Sequence, residues 1–338
     1  MRLFLAMVAG AALAAQAAGQ TKAWTPPRTP DGQPDFQGVW TNATITPFER
    51  PPELAGKAFL TDQEAAELEK KAAGNRVDRA PAPGDVGNYN QAWFDSGSKV
   101  VSTKQTSLVV VPANGRVPVK PAAEAKRDYD LAHVADSYEY MSVWDRCITR
   151  GVPAGMFPAG YNNAYQIMQT RDKFVLLYEM IHEARVIPLD GRPHAGAGVR
   201  SYLGDSRGHW EGNTLVIETT NFNGKAGIPG NPVLASTELK IVERLTRVEP
   251  ELLRYEATVI DPRTYTKPFT IAVPFTSPPG YQVLPYECHE GNLALHNILS
   301  AARSEERAAA DALKKGLPPP PPSVWLGGVA AAPAGAAR

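Results

Sequence analysis

Residues 239–261, LKIVERLTRVEPELLRYEATVID, decide the fold class of this chain. Apolar and charged residues alternate on both arms of the stretch, which is the period of a strand with one buried and one exposed face. The segment Glu249-Pro250-Glu251 lies between the arms and has the composition of a turn. The stretch therefore predicts an antiparallel β-hairpin.

A second hairpin is predicted on the N-terminal side of the first. Residues 163–189, NAYQIMQTRDKFVLLYEMIHEARVIPL, contain two apolar runs joined by the polar segment Arg171-Asp172-Lys173. The second run indicates one strand over residues 174–187, with every other side chain on a mostly apolar face.

Two further stretches predict strands and complete the fold class. Residues 209–222, HWEGNTLVIETTNF, indicate a strand entered through a Glu-Gly-Asn turn. Residues 265–275, YTKPFTIAVPF, indicate another strand, and Pro268 and Pro274 mark it as an edge or a bulge. Consecutive hairpins without intervening helices exclude a doubly wound α/β fold. The chain is therefore predicted to be mainly β, an antiparallel barrel or sandwich of lipocalin-like style.

One helix is expected on each side of the β-rich region. In residues 60–74, LTDQEAAELEKKAAG, Thr61 can cap a helix and Glu64 completes a capping box. Residues 291–315, GNLALHNILSAARSEERAAADALKK, predict a long C-terminal helix capped by Asn292. The proline run that follows cannot continue that helix.

The two ends of the chain are expected to lie outside the folded domain. Residues 1–19 have a short basic head, an apolar run and the small residues Ala15 and Ala17, which is the pattern of a signal peptide. Residues 20–316 are predicted to form a single β-rich domain, and residues 317–338, rich in Pro, Ala and Gly, a disordered tail. The mature protein is expected to be exported, either periplasmic or secreted.

Composition narrows the choice of partners. The chain has 338 residues, of which 43% are hydrophobic, and 35 Lys and Arg are balanced by 35 Asp and Glu. A neutral chain lacks the basic surface that phosphate binding uses, so nucleic acid is not an expected partner. No later run is apolar enough for a membrane anchor. A small-molecule ligand or substrate is expected, and the sequence does not fix the oligomeric state.

The two cysteines, Cys147 and Cys288, are expected to form a structural disulfide. Export places them in an oxidising compartment, where a free thiol nucleophile would not stay reduced. Cys288 lies in YECHEGN, directly before His289. If this segment is extended, the two side chains point to opposite faces and do not share a metal ion.

Three histidines are the candidate site residues. His182 falls on the apolar face of the predicted strand, His194 follows the turn PLDGRP, and His289 lies in CHEGN. Neutral imidazoles bind divalent metals such as zinc, so the three form a candidate metal site at a barrel mouth. The alternative for His182 is a core histidine held by one hydrogen bond.

Carboxylates beside these histidines provide acid–base groups for a small-molecule enzyme. The candidate catalytic residues are His182, Glu183, Asp205, His289 and Glu290. The candidate substrate-binding residues are Tyr178, Met180, Arg192, His194 and Arg207. Such groups support proton abstraction that leads to elimination, isomerisation or hydrolysis, which are lyase, isomerase and hydrolase reactions. The arginines also have local acids with which they can pair.

Two other functions are open at this stage. A lipocalin-like carrier of an apolar molecule would line a deep pocket with Phe174, Leu176, Tyr178 and Met180. A serine esterase would use Ser206, because GDSRG matches G-x-S-x-G and Asp261 and His289 follow in the order of a hydrolase triad. The esterase motif requires a helix after the serine, whereas HWEGNTLVIET indicates a turn and a strand.

Several motifs occur together along nearly the whole mature chain. They are PDFQGVW, YNQAWFDSG, TSLVVVPANGRVP, DRC, EMIHEARVIPLDGRPH, GDSRGHWEGNTLVIETTNF and CHEGN. Their combination resembles a large family of exported bacterial proteins with no established reaction, so the resemblance implies export and no activity. His209 stands where the resemblance leads us to expect an arginine, and it is left out of the candidate site.

Overall fold

The structure, a computed structural model, describes residues 24–75, 94–228, 231–289 and 291–320. The predicted signal peptide at 1–19, residues 321–338 of the predicted tail and the candidate residue Glu290 lie outside this part of the chain. None of the helices within it is both long and apolar enough to span a bilayer.

The fold is mainly β, as predicted, with one large antiparallel sheet. In chain order the strands of this sheet are β1 (Gly38–Thr41), β2 (Val109–Val111), β3 (Ala164–Gln169), β4 (Lys173–Tyr178), β5 (Ala184–Pro188), β6 (Asp205–Glu211) and β7 (Thr214–Thr220), and then β10 (Lys240–Glu249), β11 (Leu252–Ile260) and β12 (Phe269–Thr276). A small separate sheet contains β8 (Gly227–Ile228) and β9 (Asn231–Leu234).

The order of strands across the large sheet is β5-β4-β3-β1-β12-β11-β10-β7-β6, and β2 pairs with β12 beside β1. Strands β5 and β6 are thus the two edges. No hydrogen-bonded ladder joins them within the described residues, so the sheet is not closed into a barrel. A sandwich-like arrangement, one of the two predicted forms, fits this topology.

The hairpin of β10 and β11 confirms the prediction from residues 239–261. The two strands pair from Lys240 opposite Ile260 down to Glu249 opposite Leu252, with a register shift near the turn. Alternate side chains on both strands are buried, so the period of two seen in the sequence is the period of the packing. Their apolar side chains enter the main hydrophobic core.

The predicted single strand over residues 174–187 is wrong. β4 ends at Tyr178, and the chain turns through residues 179–183 before β5 returns antiparallel to β4. The amide of Tyr178 donates to the carbonyl of Glu183 (2.9 Å), and the amide of His182 donates to the carbonyl of Glu179 (3.2 Å). These local bonds close a tight turn that apolar periodicity does not detect, and His182 is exposed in this turn rather than set on an apolar face.

The turn also changes which side chains of β5 face the core. Arg185 and Ile187 are buried, whereas Val186, which the prediction set on the same face as Phe174, is 52% exposed. A shift of one residue moves every side chain of a strand to the other face. The candidate residues Tyr178 and Met180 are buried.

β12 lies inside the sheet and is not an edge strand. It pairs with β11 along its whole length, and its other side is shared by β2 near Thr270 and by β1 at Thr276. Pro274 lies between these two short contacts, where no ladder needs its missing amide hydrogen. The predicted irregularity is present, as a register shift against β2 between Thr270 and Ile271.

The helices are α1 (Asp62–Gly74), α2 (Pro121–Ala132) and α3 (Ala294–Lys314). At α1 the predicted capping box is present: the amide of Glu64 donates to Thr61 Oγ1, and the amide of Thr61 donates to Glu64 Oε2. At α3 the side chain of Asn292 accepts the amide of Ala294 (3.0 Å), close to its predicted capping role. Helix α2 was not predicted, although a proline at its first position is a known start signal.

The two edges of the sheet meet through side chains. Gly208 on β6 leaves the space that β5 needs, because a Cβ there would lie 2.7 Å from Leu189 Cδ2 and 3.1 Å from Ile187 Cγ2. Ile187 is fully buried and Leu189 packs against the same core. The sheet is therefore curved so that its first and last strands enclose a common interior.

A buried ion pair crosses this interior. Arg185 of β5 pairs with Glu243 of β10, with Nη1 to Oε1 at 2.9 Å, and the two side chains are 3% and 0% exposed. The same guanidinium donates to Ser206 Oγ on β6 and to Thr219 Oγ1 on β7. The hydroxyl of Tyr255 donates to Glu243 Oε1 at 2.9 Å. One side chain from an edge strand thus bonds to three strands at the other end of the sheet.

We predict that Arg185→Met lowers the free energy of unfolding by about 3–5 kcal/mol, because the substitution leaves the Glu243 carboxylate buried without its cation. Arg244→Met is the matched control. Arg244 is the next residue on β10, lies on the exposed face and pairs with Glu211 at the surface, so its loss should cost at most about 1 kcal/mol. Urea unfolding of the two variants measures the difference, and equal effects would contradict the role assigned to Arg185.

Candidate functional site

The turn between β4 and β5 holds one histidine in a defined orientation. His182 Nδ1 lies 2.6 Å from the backbone carbonyl oxygen of Tyr286. A carbonyl only accepts, so Nδ1 carries the hydrogen and Nε2 of the neutral ring keeps its lone pair. The side chain is exposed, and Nε2 is therefore available to take up a proton.

The backbone of this turn is strained. Ile181 has φ of 61° and His182 has φ of 41°, in the left-handed region that side chains other than glycine rarely occupy. For a β-branched residue such as Ile181 this conformation costs of the order of 1–3 kcal/mol, and such strain concentrates at functional sites. The turn is held by the contacts around it, including the bond from His182 to Tyr286.

A disulfide fixes the segment that carries Tyr286. Cys147 and Cys288 are bonded, with Cα atoms 5.6 Å apart, which confirms the predicted pairing. The bridge joins positions 141 residues apart, so it closes a long loop. In the chain-entropy picture such a bridge stabilises a fold by about 4–5 kcal/mol. Here it also ties the segment around Tyr286 to the chain that leads into β3.

The carboxyl group of Glu183 follows His182 directly and lies in a half-buried position. Its Oε2 accepts a hydrogen bond from Thr149 Oγ1 at 2.6 Å. Burial raises the pKa of Glu183 above its ordinary value, although the bond from Thr149 and the charge of Arg185 act against this rise. Glu183 therefore keeps its proton to a higher pH than a surface glutamate does.

His289, the predicted histidine of the CHEGN segment, has a backbone contact. His289 is exposed, and its backbone carbonyl accepts the amide of Asn292 at 3.2 Å. It follows Cys288, so the disulfide holds it at the same end of the molecule as Tyr286. Glu290, the fifth candidate catalytic residue, lies outside the described residues.

His194 belongs to a different cluster, at the start of β6. Its Nδ1 lies 3.0 Å from Asp205 Oδ2 and its Nε2 lies 3.7 Å from Glu218 Oε1. Arg207 Nη1 donates to Asp205 Oδ1 at 2.7 Å. Burial tends to raise the pKa of Asp205, but hydrogen bonds from the Ala195 amide, His194 and Arg207 outweigh it and lower the pKa. The cluster is a network of mutually satisfied charges.

The predicted histidines His182 and His194 have different partners. His182 contacts Tyr286, whereas His194 contacts Asp205 and Glu218. Across the described ranges no three His, Cys, Asp or Glu side chains are grouped so that they could hold a metal ion. Of the predicted substrate-binding residues, Arg192 pairs with its neighbour Asp190, as local acids in the sequence allowed.

The hydroxyl of Ser206 bonds to side chains of the core. It lies within β6, is 7% exposed, and its hydroxyl bonds to Arg185 and Thr219 rather than to a histidine. Asp261, its partner in the hypothetical triad, accepts bonds from Ser236 and caps a turn. The strand–turn–helix context that a nucleophilic serine requires is absent around Ser206 in the described chain.

Sequence reasoning missed two groups that define this site. Thr149 binds Glu183, and the backbone carbonyl of Tyr286 binds His182. The available signal was the position of both residues two places from a cysteine, since a disulfide brings their segments together.

Comparison with protein-family models, with curated proteins and with solved structures finds no match to this chain.

The opposite pKa shifts of Glu183 and Asp205 predict opposite dependences of stability on pH. Glu183 binds its proton more tightly in the folded state, so wild type should lose stability relative to Glu183→Gln as pH rises from about 4.3 towards the raised pKa. Asp205 binds its proton less tightly when folded, so wild type should lose stability relative to Asp205→Asn as pH falls below about 3.9.

Urea unfolding of the three proteins between about pH 3 and pH 7 measures both differences. Each variant is the control for the other, because both remove one carboxylate and their expected slopes differ in sign. Parallel curves for Glu183→Gln and wild type would contradict the environment assigned to Glu183.

The contacts of the histidines also predict their reactivity. Diethyl pyrocarbonate attacks an unprotonated imidazole nitrogen, and Nε2 of His182 is exposed with its lone pair free. Both nitrogens of His194 face carboxylates. We expect His182 to be modified several-fold faster than His194 when the peptides are followed by mass spectrometry. A faster reaction at His194 would contradict this geometry.

Proposed function

We propose that this protein is an exported small-molecule enzyme that uses His182 as a general base and Glu183 as a proton-carrying partner. The observation that carries the proposal is the bond from His182 Nδ1 to the Tyr286 carbonyl, on a strained turn beside a carboxyl group of raised pKa. Orientation of a base by a fixed acceptor, and a carboxyl with a shifted pKa, are features of acid–base sites.

The chemistry follows from the two groups. The free Nε2 of His182 accepts a proton from a bound substrate, and the ring is held in one tautomer by Tyr286 while it does so. Glu183, protonated to a higher pH than usual, supplies a proton to a leaving or rearranging group. Elimination, isomerisation and hydrolysis all consist of such transfers, so the reaction is of lyase, isomerase or hydrolase type.

Export accounts for the disulfide. Cys147 and Cys288 form a stable bridge in an oxidising compartment, and the first residues of the sequence have the pattern of a signal peptide. We therefore propose a periplasmic or secreted enzyme. The carrier function has less support, because Phe174, Leu176 and Tyr178, which were to line its cavity, pack in the hydrophobic core.

The test is turnover of small substrates by the mature, disulfide-bonded protein. A panel of esters, lactones, epoxides and β-hydroxy acids is assayed with wild type, His182→Gln, Glu183→Gln and the control His209→Ala. For any substrate that wild type converts, we expect His182→Gln to lower kcat about 10²–10⁴-fold, the usual contribution of a general base. His209→Ala removes an exposed histidine of β6 and should leave kcat unchanged.

Full turnover by His182→Gln would remove His182 from the mechanism. Absence of turnover by wild type across the panel would count against an acid–base enzyme. Loss of activity in His209→Ala as well would show that histidine replacement acts by destabilising the fold. Circular-dichroism melting curves of the same variants measure that destabilisation.

A further inference from the structure

One arginine is buried without an ionic partner. Arg150, three residues before the cis-linked Pro153, is 8% exposed. It forms no hydrogen bond or ion pair with any residue that the structure describes. Its guanidinium carbon lies 5.0 Å from the centroid of the Trp144 ring. A buried cation with free donors is rare, because charges leave water at a high cost unless they are paired.

Aromatic side chains surround this guanidinium. Trp144 lies 6.2 Å from Tyr161, and Tyr161 is stacked with Tyr286 at 6.3 Å and an interplanar angle of 15°. Tyr161, Tyr286 and the buried Tyr165 each act to raise the pKa of Arg150. Burial lowers the pKa of Arg150, and the three tyrosines only partly oppose this effect. The part of the chain that the structure describes therefore provides rings but no anion for this cation.

Two carboxylates near this segment have other partners. Glu179 is buried and accepts bonds from the hydroxyl of Tyr281, the amide of Leu284 and the amide of Ala164. Glu183 accepts the bond from Thr149. Neither carboxylate forms an ion pair with Arg150, so no described acid occupies the five donors of the guanidinium.

The chemistry of the lining defines that group. A guanidinium fork matches the two oxygens of a carboxylate and binds them in parallel hydrogen bonds. Tryptophan and tyrosine rings stack or pack edge-on against a planar ring. We propose that Arg150, with Trp144, Tyr161 and Tyr286, forms a binding site for a small aromatic carboxylate.

This site goes beyond the proposed catalytic function and does not depend on it. The two are neighbours, because Tyr286 presents its ring to the Arg150 site and its carbonyl to His182. An aromatic carboxylate held by Arg150 would thus lie at the same disulfide-anchored segment as the proposed base. Binding is measured without turnover, so the failure of one proposal is distinguishable from the failure of the other.

The experiment is calorimetric titration of the mature, disulfide-bonded protein with benzoate as the probe. Benzamide tests the need for negative charge, cyclohexanecarboxylate tests the need for an aromatic ring, and inorganic phosphate tests for a general anion site. We expect benzoate to bind at about 1 mM or below, and each comparison compound to bind at least about tenfold more weakly.

Two arginine variants locate the site. Arg150→Met should weaken benzoate binding at least about tenfold, because it removes the only donors of the charged fork. The matched control is Arg146→Met, which removes a guanidinium that lies 5.1 Å from the ring of Tyr138 in the same segment. Arg146→Met should bind benzoate as wild type does. Arg150→Met should melt no lower than wild type without ligand, since the substitution removes an unpaired buried charge.

Equal binding of benzoate by wild type and Arg150→Met would overturn the proposal, as would absence of binding by wild type at about 10 mM. Equal binding of benzoate and benzamide would also overturn it, because the cation would then have no role. Should Arg150→Met fail to fold, Arg150 is structural and the proposal fails. Arg150→Lys, which keeps the charge without the fork, should retain weak binding if the proposal holds.

Discussion

The buried pair of Arg185 and Glu243 is the interaction on which the arrangement of this fold depends. It connects β5, one edge of the sheet, with β10 near the other edge, and the same guanidinium reaches Ser206 and Thr219 on β6 and β7. Because no backbone ladder joins β5 to β6 in the described chain, side-chain contacts such as this pair help to keep the two edges together. A buried charge pair is strongly directional, so it fixes the position of β5 as well as the closure of the interior.

The position of β5 in turn sets the candidate site. The strained turn with His182 connects β4 to β5. Because Arg185 of β5 is bound inside the sheet, the C-terminal end of this turn is fixed. On the other side, the disulfide holds the segment that presents the Tyr286 carbonyl to His182. The orientation of the imidazole thus requires two distant constraints, one from an ion pair in the core and one from a covalent bridge.

The sequence was sufficient to predict those elements that depend on near neighbours in the chain. The hairpin of β10 and β11 and the capping box at Thr61 depend on neighbours within a few residues, and both were predicted from their patterns. The turn after Tyr178 was not, because Met180 and Ile181 continue the apolar pattern of the strand although the chain bends there. The site depends on contacts across more than a hundred residues, such as His182 with Tyr286, and no pattern of single residues encodes them.

Two arginines with similar burial show how partners decide the role of a charge. Burial by itself lowers the pKa of both. Glu243 outweighs this effect at Arg185, whose pKa is raised above that of an ordinary arginine, whereas the pKa of Arg150 stays lowered. Arg185 donates hydrogen bonds to Glu243 and to two hydroxyls, so it has a structural role in the sheet. In the described chain Arg150 has aromatic rings around it and no acid. The difference in partners between the two guanidinium groups is the reason for proposing that an external anion completes the environment of Arg150.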